Sequence, residues 1–129
     1  MLAYYRIMKK IILSFIALVL PLLPMQAQDS MEKAMVLFNK AGRTSLANDY
    51  DKAIAALKTA TDEGFGDAAY LLGTLYFCGY KTTTKKVDSD MAKACVMYEK
   101  AVELGKNEGL LKLGCIYLYG WGNVEKKIP

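Results

Sequence analysis

The chain of 129 residues contains no histidine, and only three prolines, three cysteines and one tryptophan. Without histidine it lacks the commonest general base and the commonest metal ligand. Cys78, Cys95 and Cys115 are too widely spaced to form a paired Cys-x-x-Cys metal motif. So little proline and cysteine, beside 53% apolar residues, excludes a disordered tail and a disulfide-rich miniprotein. Most of the chain also lacks an excess of charge. The net charge is +4, but Arg6, Lys9 and Lys10 precede the first acid, Asp29, and residues 28–129 hold 14 basic against 13 acidic side chains. That near-balance leaves no electrostatic footprint for a phosphate backbone, so no nucleic-acid partner is expected.

Long hydrophobic runs are scarce too. The longest, Ile11 to Leu23, is interrupted by Ser14 and Pro21, and a membrane span needs roughly 20 apolar residues. Arg6, Lys9 and Lys10 before this run, and Ala27 just after it, complete the parts of a secretory signal peptide over residues 1–27. No cysteine follows the run, which removes a lipoprotein anchor. Met8 offers a second start within the same segment. The expectation is an exported protein, periplasmic or secreted, that meets the membrane only through its signal segment before cleavage. Residues 28–129 then form the working domain.

That domain is organised by a repeat. Shifting residues 49–80 by 41 places aligns Asp49 with Asp90, Lys52 with Lys93, Ala53 with Ala94, Ala60 with Ala101 and Gly64 with Gly105. Leu72, Gly73, Tyr76 and Gly79 then fall on Leu113, Gly114, Tyr117 and Gly120. Within each copy apolar residues recur at three- and four-residue steps, as in Tyr50, Ala53, Ile54, Leu57 and Ala60. The spacing predicts helices near 31–46, 50–63, 67–78, 90–104 and 108–119. Asp49, Gly66-Asp67 and Asp90 stand where N-caps are wanted, and Gly64 and Gly105 where a left-handed residue ends a helix. Two antiparallel helices cannot bury both their faces alone, so neighbouring pairs must stack.

These residues resemble the Sel-1-like repeat family, relatives of the tetratricopeptide repeat. The matching pieces are Leu72-Gly73, Tyr76 and Gly79; Val87, Asp90 and Lys93-Ala94; and Tyr98, Lys100-Ala101 and Gly105. The first pair is nearer the tetratricopeptide form, with Asn48-Asp49-Tyr50-Asp51-Lys52-Ala53. Lys81 to Lys86 is an insertion relative to the family pattern, and the chain stops at Pro129, before the second helix of the last repeat. The resemblance implies an all-α right-handed solenoid of antiparallel helix pairs with its last repeat incomplete. It also implies a non-catalytic module that binds a peptide or protein on its concave face, without cofactor or metal. By the same resemblance the concave-face residues are Tyr70, Thr74 and Phe77 in the middle repeat and Leu111, Leu118 and Tyr119 in the last. Cys78 and Cys115 occupy further groove positions. The alternative is a fragment of a longer array that self-associates through its unfinished end.

Other chemistry is weaker. The carboxylate pairs Asp49 with Asp51, Asp62 with Glu63 and Asp88 with Asp90 imitate a glycosidase, but all sit at helix ends, where capping explains the N-terminal ones. Ser30-x-x-Lys33, Lys81-Thr82-Thr83 and Ser89-Asp90 imitate penicillin-recognising motifs in the wrong order. The cysteines read either as small apolar thiols between helices or as one disulfide, with Cys78 and Cys95 the leading pair across a helix hairpin. Mass spectrometry of the exported protein should find an N-terminus at or near Gln28. A membrane-bound form that retains Lys9 and Lys10 would overturn that expectation.

Overall fold

The computed structural model describes residues 3–10 and 22–119. Residues 3–10 form helix α1, exposed throughout. Then come α2 (Leu22–Thr44), α3 (Ala47–Asp62), α4 (Gly66–Cys78), two-residue strands β1 (Tyr80–Lys81) and β2 (Lys86–Val87), α5 (Met91–Glu103) and α6 (Glu108–Tyr119). Most of the apolar run at 11–23, and Trp121 and Val124 in the unfinished repeat, lie outside the described residues.

The helices pack as sequential pairs, α2 on α3 and α4 on α5, with α3 against α4 and α5 against α6 joining one pair to the next. This is the all-α stacked-pair architecture that the 41-residue register implied. Alanines set the spacing. Ala53 and Ala60 of α3, and Ala94 and Ala101 of α5, are fully buried, so the helices approach closely along those seams. One core cluster joins Ala34, Leu57, Ala60, Ala68, Leu72 and Leu75; the next joins Ala94, Cys95, Tyr98, Leu113 and Ile116. Leu57 and Tyr98, Leu72 and Leu113, and Leu75 and Ile116 are equivalent positions one repeat apart. Burying a leucine such as Leu72 contributes about 2 kcal/mol relative to leaving it exposed.

Tyr98 holds the second pair together. Its ring is 0% exposed and lies so near Gly73 that a Cβ there would sit 2.7 Å from two ring carbons. Tyr70 and Phe77 flank it, with ring centroids 5.5 and 6.4 Å away. The Tyr98 hydroxyl and Thr74 Oγ1 are hydrogen-bonded at 3.1 Å. Burial pushes the Tyr98 phenol above its ordinary pKa, and the Thr74 bond partly opposes that shift.

The helix ends confirm part of the expected capping. Asp90 accepts a hydrogen bond from the Lys93 backbone N–H at 3.0 Å as the N-cap of α5, and Gly64 and Gly105 have φ of 99° and 93°. Asp49 is not an N-cap. Ser45, at φ 55°, ends α2 early, so Leu46 becomes the N-cap of α3. Asp49 is drawn into the first turn, buried, where the Thr44 hydroxyl donates to it at 2.6 Å. Likewise Phe65, rather than Gly66 or Asp67, is the N-cap of α4.

The Lys81 to Lys86 insertion is a built hairpin. Tyr80 pairs with Val87 and Lys81 with Lys86. The buried Thr82 hydroxyl accepts from the Lys85 backbone N–H and donates to the Lys85 carbonyl, both at 3.0 Å. The Thr83 N–H donates to the Ser45 carbonyl at 2.9 Å, and Tyr80 stacks on Tyr50 with centroids 4.3 Å apart.

Two measurements test this packing. Gly73→Ala forces a methyl into the Tyr98 ring, an overpacking cost of about 1–3 kcal/mol, so thermal melting should drop by several degrees; an unchanged melting temperature would contradict the contact. On α6, the Tyr117 hydroxyl donates to Glu99 Oε1 at 2.5 Å. That bond, with burial and the Glu99 charge, raises the phenol to about 12. Because the folded value lies above the unfolded one, the stability it contributes is complete below about pH 10 and disappears as pH rises through about 12. Ultraviolet titration of Glu99→Gln should return one late-ionising phenol toward the ordinary tyrosine range.

Candidate functional site

Three successive leading helices border one cavity of about 470 Å³. Its walls are Met31 and Met35 from α2, Asp67, Tyr70 and Leu71 from α4, and Lys106 and Glu108 at the start of α6. The floor is apolar: two thioethers one helical turn apart, an aromatic ring and a leucine. Methionine's three rotatable bonds let such a floor reshape around different side chains.

The rim is charged and ordered. Lys106 Nζ lies 2.7 Å from Asp67 Oδ1 and 3.8 Å from Glu108 Oε1, and 5.9 Å from the centroid of Tyr70. The hydrogen bond to Asp67 raises the Lys106 pKa, against a smaller opposing effect of desolvation. Lys106 therefore stays cationic, between two carboxylates that leave the rim one negative charge in excess. Asp67 and Glu108 hold equivalent positions one repeat apart, whereas Lys106 stands where the preceding repeat has Phe65. Such a surface can take up an apolar side chain while pairing a cationic or hydrogen-bond-donating neighbour.

The structure separates the six expected groove residues. Tyr70 lines the cavity. Thr74 bonds to the Tyr70 carbonyl and the Tyr98 hydroxyl, both at 3.1 Å. Phe77 packs on Tyr98, under the Lys112 ammonium 5.3 Å from its centroid. Phe77 therefore takes part in the core packing, because α5 covers that side of α4. Leu111, Leu118 and Tyr119 are exposed, at 75%, 52% and 58%, on the outer part of α6 rather than in the cavity. Cys78 and Cys95 are present as thiols and are not joined. Cys78 is exposed at the end of α4, whereas Cys95 is buried between α5 and α6.

Sequence reasoning missed Met31, Met35, Leu71, Lys106 and Glu108. Met31 and Met35 carry a signal, a thioether pair at helical spacing just ahead of the repeat. Lys106 follows a helix-ending glycine, and only the stacking of one pair on the next brings it over Tyr70. A second hollow, about 420 Å³, is lined by the single stretch Cys78 to Lys81 and Lys86 to Ser89; no other helix contributes to it. Among the described residues no group of three or more Cys, Asp or Glu side chains is placed to hold a metal ion. No helix among them is long and apolar enough to cross a membrane.

No family model matches the chain, and no curated protein does. Among solved structures it is similar to the crystal structure of a Sel1 repeat protein from Oxalobacter formigenes, at 25% identity and a TM-score of 0.51. The alignment covers 84% of this chain and 30% of the other, so the chain spans less than a third of that protein's length.

Proposed function

We propose, for a chain built of Sel1-like repeats, that it is a protein-interaction module whose ligand is a peptide or protein segment seated in the cavity between α2, α4 and α6. The observation that carries this reading is the cavity itself. Three consecutive leading helices, one from each repeat unit, border it: α2 and α4 supply the apolar floor, and Asp67, Lys106 and Glu108 the ionic rim. A stacked-pair fold places no catalytic group by itself; it offers an extended surface, and function lives in the site that surface carries. The ligand class is a segment with an apolar anchor next to a basic residue, since the rim carries a net negative charge.

The proposal includes export. Residues 1–27 act as the signal segment, and the mature module works in the periplasm or outside the cell. Met31, Ala34 and Phe38 of α2, all beyond residue 27, pack in the first core cluster.

Selection from a displayed random peptide library tests the site. Enriched peptides should share an apolar anchor beside Lys or Arg. Met35→Glu, which puts a charge in the floor outside both core clusters, should weaken them at least tenfold with helical content unchanged. Enriched peptides that bind Met35→Glu and the parent chain equally would place the ligand elsewhere.

A further inference from the structure

We infer that Lys106 sets how many cationic residues a ligand of the cavity brings: it neutralises Asp67, leaves Glu108 for one cation and repels a second. The inference rests on the reading of the cavity as a peptide site, and adds to it the residue that determines charge specificity.

The repeat supplies the two carboxylates and not the lysine. Asp67 and Glu108 each stand in the first turn of a leading helix, α4 and α6, while the lysine falls on Phe65 of the preceding repeat. Two such carboxylates bordering one cavity would give it a doubly negative rim. Lys106 removes half of that charge, and it does so unevenly. Its Nζ hydrogen-bonds Asp67 Oδ1 at 2.7 Å, whereas Glu108 Oε1, at 3.8 Å, is near enough for attraction but beyond hydrogen-bond distance. Both carboxylate side chains are 60% exposed, and among the described residues no other cation pairs with either. Asp67 has therefore committed an oxygen to Lys106, and Glu108 keeps its oxygens for an incoming group.

The ammonium is positioned from its root. The Lys106 backbone N–H donates to the Ala101 carbonyl at 2.8 Å, closing the turn after Gly105. Its stem passes close over the start of α4, where a Cβ on Gly66 would sit 3.1 Å from the Lys106 Cβ. The Tyr70 ring, with its centroid 5.9 Å from Nζ, attracts the charge from the cavity side. A ligand cation entering beside Asp67 would meet a carboxylate and a ring already occupied by a like charge. Such repulsion acts over a few ångströms and is screened by salt. A cation at Glu108 pairs with the carboxylate that Lys106 does not hydrogen-bond.

The test selects one displayed random peptide library in parallel on the full chain and on its Lys106→Met, Lys106→Arg and Asp67→Asn variants, with helical content and melting measured for each. The parent chain and Lys106→Arg should enrich peptides with a single Lys or Arg beside the apolar anchor. Lys106→Met should enrich about one basic residue more per peptide, because the rim gains a unit of negative charge. Asp67→Asn should enrich about one fewer, because Lys106 is then balanced by Glu108 alone; this arm carries the test by itself if Lys106→Met folds poorly. Selection in about 1 M salt, where the screening length is about 3 Å, should erase these differences. Equal basic content in every selection overturns the inference and leaves the cavity reading standing. So does a lower melting temperature for Lys106→Met with unchanged basic content, since the lysine would then only pin α6 to α4. Enriched peptides that ignore Met35→Glu overturn the cavity reading, and this inference with it.

Discussion

Tyr98 lies across Gly73, and much of the second half of the molecule is arranged around that contact. The ring is large and fully buried, so it needs a partner helix with no side chain at one position. The Leu-Gly step of α4 provides it. Once the ring is seated, Tyr70, Thr74 and Phe77 close around it, and its own backbone approaches α6 at Gly109, where a Cβ would meet the Tyr98 carbonyl at 2.9 Å. One residue, through its ring on α4 and its backbone on α6, thus stands where three helices meet. In the first pair Leu57 stands at the equivalent place and joins an aliphatic core instead.

The cavity depends on this spacing. Tyr70 contributes one edge to the packing around Tyr98 and another to the floor between α2, α4 and α6. Lys106 leaves a helix-ending turn and reaches Asp67 because α6 is held against α5 at a distance that Gly109 permits. The site is therefore formed by the stacking of pairs rather than by any single motif. Substitutions in it divide by what they touch. Met35 borders the cavity outside both core clusters, whereas Phe77 and Thr74 act on Tyr98 first.

The helices were legible in the sequence because their apolar positions follow a 3.6-residue period and repeat at a fixed 41-residue interval. Their ends were less legible. The start of α3 moved three residues upstream of the position expected from Asp49, because Ser45 turns the chain at positive φ and the Thr44 hydroxyl takes over the Asp49 carboxylate. Side choice was the harder problem. Leu72 and Tyr70 both lie on apolar stripes of α4, and a stripe does not say which neighbour covers it. Knowing that Gly73 faces Tyr98 requires the three-dimensional stack. Cys95 shows the same limit: its place near a hairpin suggested a disulfide, but its side chain is drawn into the α5–α6 core away from Cys78.

The hairpin inserted between α4 and α5 has a wider effect than its length suggests. Thr83 bonds to Ser45 and Tyr80 stacks on Tyr50, so a loop of the middle repeat is fastened to the turn of the first. Arrays of stacked helix pairs ordinarily fold as one-dimensional chains of nearest-neighbour units whose terminal unit can fray alone. Here the tie bypasses the α3–α4 seam and links the opening of α2–α3 to the opening of the hairpin. The first two units are thereby held at two places, and separating them requires breaking the hairpin tie as well as the α3–α4 seam.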